Sequence, residues 1–177
     1  ARLDRQLESV IERAQNAGVL NQLVIATNLR EAQSALELCQ RFPDSLHMTV
    51  GVHPHDADDA PHDLQQQLLQ LAQSPHVKAI GECGLDYYRE YSTKEQQIYC
   101  FEEQLLIAES LELPVFLHER HAHKDFAKIL KSHINKIKNS VVHCFTGTEN
   151  ELKAYLDMGC YIGITGWISD TNRGKHL

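Results

Sequence analysis

Six short apolar runs punctuate the chain: LVIAT (23–27), MTVGV (48–52), VKAIG (77–81), PVFLH (114–118), SVVHCF (140–145) and CYIGIT (160–165). Between them the apolar residues fall at helical spacing instead. Leu3, Leu7, Val10, Ile11 and Ala14 form one such stripe, with Gly18 placed to end it. Asn28 is placed to cap a helix running to about Arg41, and Pro61 to open one carrying Leu64, Leu68, Leu69 and Leu71. Ser92 with Glu95, and Thr148 with Glu151, have capping-box spacing ahead of two more helices, the first stopping before Pro114 and the second at Gly159. A further helix is predicted around Phe126 to Leu130. Strands that are apolar on both faces and alternate with helices demand a parallel sheet covered by helices, that is, an α/β fold. Two architectures satisfy this pattern, an open doubly wound sheet and a closed TIM-like (β/α) barrel.

The length, 177 residues, predicts a single domain spanning 1–177. No apolar run is long enough to span a bilayer, and the first residues, ARLDRQLESVIERAQ, read as a charged amphipathic helix and not a secretion signal, so a cytoplasmic protein without a membrane partner is expected. Five cysteines with no C-x-x-C pair argue against a disulfide framework or zinc knuckle. A formal charge of -7 excludes nucleic-acid binding through a wide basic face. A phosphate substrate would have to be met locally, by a few cations or a metal.

Both architectures place chemistry at the carboxyl ends of strands. The residues standing there are His53 and His55 after MTVGV, Glu82 after VKAIG, His118 after PVFL and His143 after SVV. Each has an ordinary explanation by itself: a strand-end histidine is often a hydrogen-bonded structural residue, and Glu82, set where Gly81 allows a sharp turn, could cap that turn or pair with an arginine. Three such residues on three successive strands point instead to a cation held by Glu82, His118 and His143. Arg120, two residues past His118, could face the same side and present its planar fork to phosphate oxygens, or pair on the surface with Glu119 or Glu112. Asp86 could orient a ligand histidine from behind, or be a plain turn residue. His121 and His123 of HERHAH should begin a helix and diverge. P-loop, Rossmann and G-x-S-x-G patterns do not occur. Cys83 and Cys144 read as packing residues.

The blocks GVHPHDA (51–57), IGECGLDYYR (80–89), PVFLHER (114–120), VVHCFTGT (141–148) and GCYIGITGWISD (159–170) resemble, in order, those of the TatD-type metal-dependent deoxyribonucleases. The resemblance implies a TIM-like barrel of the metal-dependent hydrolase type and hydrolysis of DNA phosphodiesters by metal-activated water, trimming a single strand from its 3′ end. It implies divalent metal, magnesium first, although two imidazole ligands suit zinc or manganese as well. Glu82 would be the bridging and catalytic carboxylate, His118 and His143 further ligands, and His53, His55, Asp86, Arg120 and Arg173 would lie near substrate. Three departures accompany it: nothing matches the family's opening strand with its ligand pair, no T-D-A-P block is reached, and His121 stands where aspartate is common. A full barrel takes about 250 residues, so the chain is expected to be part of one, with activity belonging to the intact protein. An amidohydrolase acting on C–N bonds, and an inactive partial barrel serving as a binding surface, are the competing readings.

Overall fold

The computed structural model describes residues 6–171. Leu3 of the first predicted helical stripe and Arg173 of the predicted site lie outside those residues. Among the described residues six strands form one sheet: β1 (Gln22–Val24), β2 (Leu46–Val50), β3 (Val77–Asp86), β4 (Val115–Arg120), β5 (Ser140–Val142) and β6 (Tyr161–Ile162). All five pairings are parallel, and the spatial order β1-β2-β3-β4-β5-β6 is the chain order. This order decides between the two architectures. A doubly wound sheet reverses direction at a switch point, whereas a sheet that always steps the same way through crossovers of one hand keeps its helices on one face and curls toward a barrel. The described residues form an arc of a TIM-like barrel, incomplete as expected.

Among the described residues six α-helices alternate with the strands: α1 (Leu7–Asn16), α2 (Leu29–Arg41), α3 (Leu64–Ala72), α4 (Lys94–Leu111), α5 (His123–His133) and α6 (Glu149–Asp157). Local chemistry explains their ends. Asn28 caps α2 by accepting the Glu31 N–H at 3.0 Å, and Thr148 and Glu151 form the reciprocal capping box that opens α6. Gly18 and Gly159, at φ +87° and +79°, turn the chain out of α1 and α6. Two predicted starts differ. Pro61 precedes α3, its carbonyl accepting the Leu64 N–H, and α4 is entered at Thr93 because the Ser92 hydroxyl is engaged elsewhere, between the Asp58 N–H and the His55 carbonyl.

The core lies between sheet and helices. Ile80, Leu85, Leu105, Leu117, Phe126 and Leu130 are fully buried, and the Phe101 and Phe126 rings stack at 5.1 Å with Tyr155 edge-on to Phe126. Here β3 departs most from expectation. It does not stop at Gly81 but runs on through Glu82 to Asp86, with a register shift against β4 between Gly81 and Cys83. Gly84, at φ +143°, makes this possible: a Cβ there would collide with the His118 carbonyl of β4, so only hydrogen allows the two backbones to approach. Conversely, β1, β5 and β6 end sooner than their apolar runs, yet the runs still bond across the sheet: His53 N–H to the Thr27 carbonyl at 2.7 Å, Glu82 N–H to Ala26 at 3.1 Å, and His143 N–H to Leu117 at 2.8 Å.

Candidate metal centre

Those backbone bonds deliver the side chains of four strand ends to one mouth. A cavity of about 640 Å³ is lined by His53, His55, Glu82, Asp86, His118, Arg120 and His143, with Thr27, Asp56, Arg89, Tyr91 and Cys144 completing the wall. Seven of the eight site residues predicted from sequence therefore share one wall.

The cavity is organised around His118. Its Nδ1 meets Glu82 Oε1 at 3.0 Å and its Nε2 meets Asp86 Oδ2 at 3.1 Å. His55 Nε2 shares that Asp86 oxygen at 2.7 Å, while Asp86 Oδ1 accepts the N–H groups of Tyr88 and Arg89. Asp86 is thus the buried terminus of β3 and a positioning group for two imidazoles, not a turn residue in solvent. His53 completes the cluster: its Nδ1 accepts the His55 N–H at 3.1 Å, and its Nε2 lies 3.7 Å from Glu82 Oε1. Among the described residues His53, His55 and His118 each offer a ring nitrogen within 4.8 Å of the others. His143 lines the same cavity, its ring 4.7 Å from that of Phe116, and its imidazole favours the charged form of Glu82.

The electrostatics follow from this packing. Burial works against the Glu82 carboxylate, but the His118 hydrogen bond and the facing imidazoles outweigh it and hold its pKa below the ordinary value. Asp86 is likewise opposed by burial and is pushed well below the carboxylate range by bonds from His118, His55 and the Arg89 amide. His118 loses solvation yet gains two carboxylate partners, and the balance raises its pKa. His53, desolvated and facing His118, drops to about 3 despite the attraction of Glu82. The mouth thus combines two ionised carboxylates with several imidazoles. Such a mixed nitrogen and oxygen donor set fits a divalent ion, which His118 would bind as the neutral imidazole, giving up the extra proton that its two carboxylate partners favour.

Arg120 does not pair with Glu119 or Glu112. Its guanidinium lies over the Tyr88 ring at 4.3 Å and 5.8 Å from the Trp167 ring. Glu119 instead accepts the Ala122 N–H and the Tyr155 hydroxyl, which also meets His123 Nδ1 at 2.9 Å. His121 turns the other way, toward Tyr88, so the two histidines do diverge. Cys83 is buried beside Glu82, both of which raise its thiol pKa, as a packing residue requires. All five cysteines are free.

Two groups that position the site escaped the sequence reading. Gln97 and Gln104 are fully buried on α4, seven residues apart. Gln97 Oε1 accepts the Asp86 N–H at 2.8 Å, and its Nε2 donates to the Asp86 and Ser92 carbonyls. Gln104 does the same for Val52, the residue before His53, at 2.8 and 3.0 Å. Their signal was visible: polar amides on the apolar stripe of a helix, at positions that otherwise hold Phe101 and Leu105.

A profile described as TatD related DNase matches residues 1–177. The chain belongs to this family. It is 50% identical over 170 residues to a protein of Erwinia tasmaniensis named 3′-5′ ssDNA/RNA exonuclease TatD, covering 96% of this chain and 66% of that one. A Pantoea vagans protein of the same name is 47% identical over 174 residues, with 98% and 66% covered. The crystal structure of the TatD homolog YJJV from Escherichia coli K12 superposes with a TM-score of 0.85 at 30% identity, over 96% of this chain and 66% of that one. The chain spans slightly less than two thirds of the length of these curated relatives. Among the described residues no helix is long and apolar enough to cross a membrane.

Proposed function

We propose that the protein to which this chain belongs is a metal-dependent nuclease that hydrolyses phosphodiester bonds of a single-stranded nucleic acid, DNA first, from the 3′ end. The observation that carries the reading is the convergence of Glu82, His118 and His143 on one cavity, with Asp86 fixing His118 from behind. Support for the substrate comes from the name borne by relatives at about half identity.

In this reading Glu82, His118 and His143 would hold a divalent ion, magnesium or, given the imidazoles, manganese or zinc, while His53 and His55 offer further ring nitrogens within 4.8 Å of one on His118. A bound ion of this kind polarises a phosphoryl oxygen and brings the pKa of water toward neutrality. The remaining work belongs to the chain. Asp86 keeps His118 and His55 in register through bonds from both rings, so that the donors are preorganised. His53, whose Nδ1 accepts a backbone N–H, carries its proton on Nε2 and directs it into the cavity, where it can donate to a phosphate oxygen. Arg120 and Arg89, on the same wall, offset phosphate charge locally, as an acidic chain requires.

The test uses the full-length protein with 5′-labelled and 3′-labelled single strands and magnesium, manganese or zinc in turn. Stepwise loss from the 3′ end is expected, abolished by chelator and by Glu82→Gln with the circular dichroism spectrum unchanged. Glu82→Gln turnover close to the parent's would refute the role of that carboxylate, and turnover insensitive to chelator would refute the reaction class.

A further inference from the structure

Two exposed tyrosines stand at the rim of the cavity. Tyr91 is 67% exposed and Tyr88 56%. Neither is a stray surface residue, because each is tied to a group on the cavity wall. The Tyr91 ring, itself part of that wall, meets the His55 ring at 4.9 Å and 73°, and His55 bonds Asp86 at the centre of the site. The Tyr88 ring carries the Arg120 guanidinium over its face and the His121 ring at 4.9 Å. Tyr87 is spent differently: its hydroxyl donates to Asp125 and Lys94 Nζ lies 4.4 Å over its ring. The rim therefore alternates aromatic faces with cations, Tyr91, Arg89, Tyr88 and Arg120, over one short segment and the strand beside it.

We propose that Tyr91 is a base-stacking platform for the terminal nucleotide of a single strand, and that Tyr88 with Arg120 receives the next one. The proposal rests on the nuclease reading above and deepens it by naming what holds the substrate. The chemistry is that of sequence-tolerant single-strand binding, in which rings take up base faces while a few cations follow the phosphates. A chain with formal charge -7 has no broad basic field to supply affinity, so stacking must contribute a large part of it. The Tyr91 ring adjoins His55, whose ring is 5.9 Å from that of His118, so a base stacked on Tyr91 lies next to the imidazoles of the site. A duplex hides its base faces inside its own stack, which makes the platform selective for unpaired ends.

The experiment uses the full-length protein, with magnesium or manganese, on two single-stranded oligonucleotides: one with ordinary bases and one with abasic residues at its two terminal positions. For Tyr91→Ala the KM on the ordinary strand should rise roughly 5- to 150-fold, the range that stacking of one base supports. The abasic strand should show parent-like KM, and Tyr91→Phe should behave as the parent because the ring face, not the hydroxyl, does the binding. Tyr88→Ala should give a smaller rise. Binding of a fluorescent strand is measured in parallel on the Glu82→Gln background, where no turnover intervenes. If Tyr91→Ala leaves KM and binding within twofold, or weakens the abasic strand equally, the platform is overturned while the nuclease reading stands. If the strand binds in a Tyr91-dependent way but the parent never cleaves it, the nuclease reading falls and the platform stands. Absence of any strand binding overturns the platform.

Discussion

Replacing Gln97 by Leu tests whether helix α4 fixes the mouth of β3. The substitution keeps size and removes three hydrogen bonds, those to the Asp86 N–H and to the Asp86 and Ser92 carbonyls, at 2.8, 3.2 and 2.9 Å. Asp86 is 1% exposed and Ser92 5%, so water does not replace the amide without local opening. The orphaned N–H costs about 2 kcal/mol, and each carbonyl, which retains a second lone pair, about 1. The added apolar burial returns about 1, leaving a net loss of about 3 kcal/mol against a total stability of about 5–15. With a urea m-value of about 2 kcal/mol/M, the unfolding midpoint should fall by about 1.5 M with m unchanged. Gln104→Leu should lose a comparable amount, and the double variant should be additive within about 0.5 kcal/mol, since seven residues of helix separate the amides by about 10 Å. A midpoint shift below about 0.5 M for Gln97→Leu would refute the reasoning.

Gly84→Ala should cost on the order of 3 kcal/mol or prevent folding, because its Cβ has no space against β4, whereas Gly18→Ala, at positive φ but with nothing within 4 Å, should cost only about 1; equal losses in urea melts would contradict this. Acidification of the chelated protein should destabilise it from about pH 6.5 downward. His53 takes up no proton in the folded state until about pH 3, while the unfolded chain does so near 6.5, so the unfolded state gains up to about 1.4 kcal/mol per pH unit from this residue. The raised His118 acts oppositely, its contribution being complete below 6.5 and lost as pH rises through its folded value. A His53→Asn variant should therefore show a flatter stability profile between pH 6.5 and 4, and an unchanged slope would exclude His53 as its source.

Much of the site was legible because strand ends are fixed by where apolar runs stop, and a parallel sheet gathers those ends. His53, Glu82, His118 and His143 follow from that rule alone. Of the two readings of Asp86 the turn fails, because a strand containing two glycines reads as a strand followed by a loop; the close approach of Gly84 to β4, which carries β3 onward, depends on a neighbour remote in sequence. Ser92 misled for a similar reason. Its spacing to Glu95 is that of a cap, but a hydroxyl serves whichever backbone lies nearest, here the segment after His55. Gln97 and Gln104 were passed over because their meaning lies entirely in the two strand ends they reach. The choice between barrel and doubly wound sheet needed the spatial order of strands, which periodicity does not contain.

That order has a bearing on biogenesis. Among the described strands each new one is laid against the strand made just before it. During synthesis no strand has to wait, exposed and unpaired, for a distant later segment to complete its first pairing. Loop-closure costs stay those of one helix at a time, and the polypeptide can add order in step with its emergence from the ribosome. The cavity, by contrast, draws on residues from Thr27 to Cys144, so the scaffold can accumulate gradually while these side chains come together only once β5 has joined the sheet.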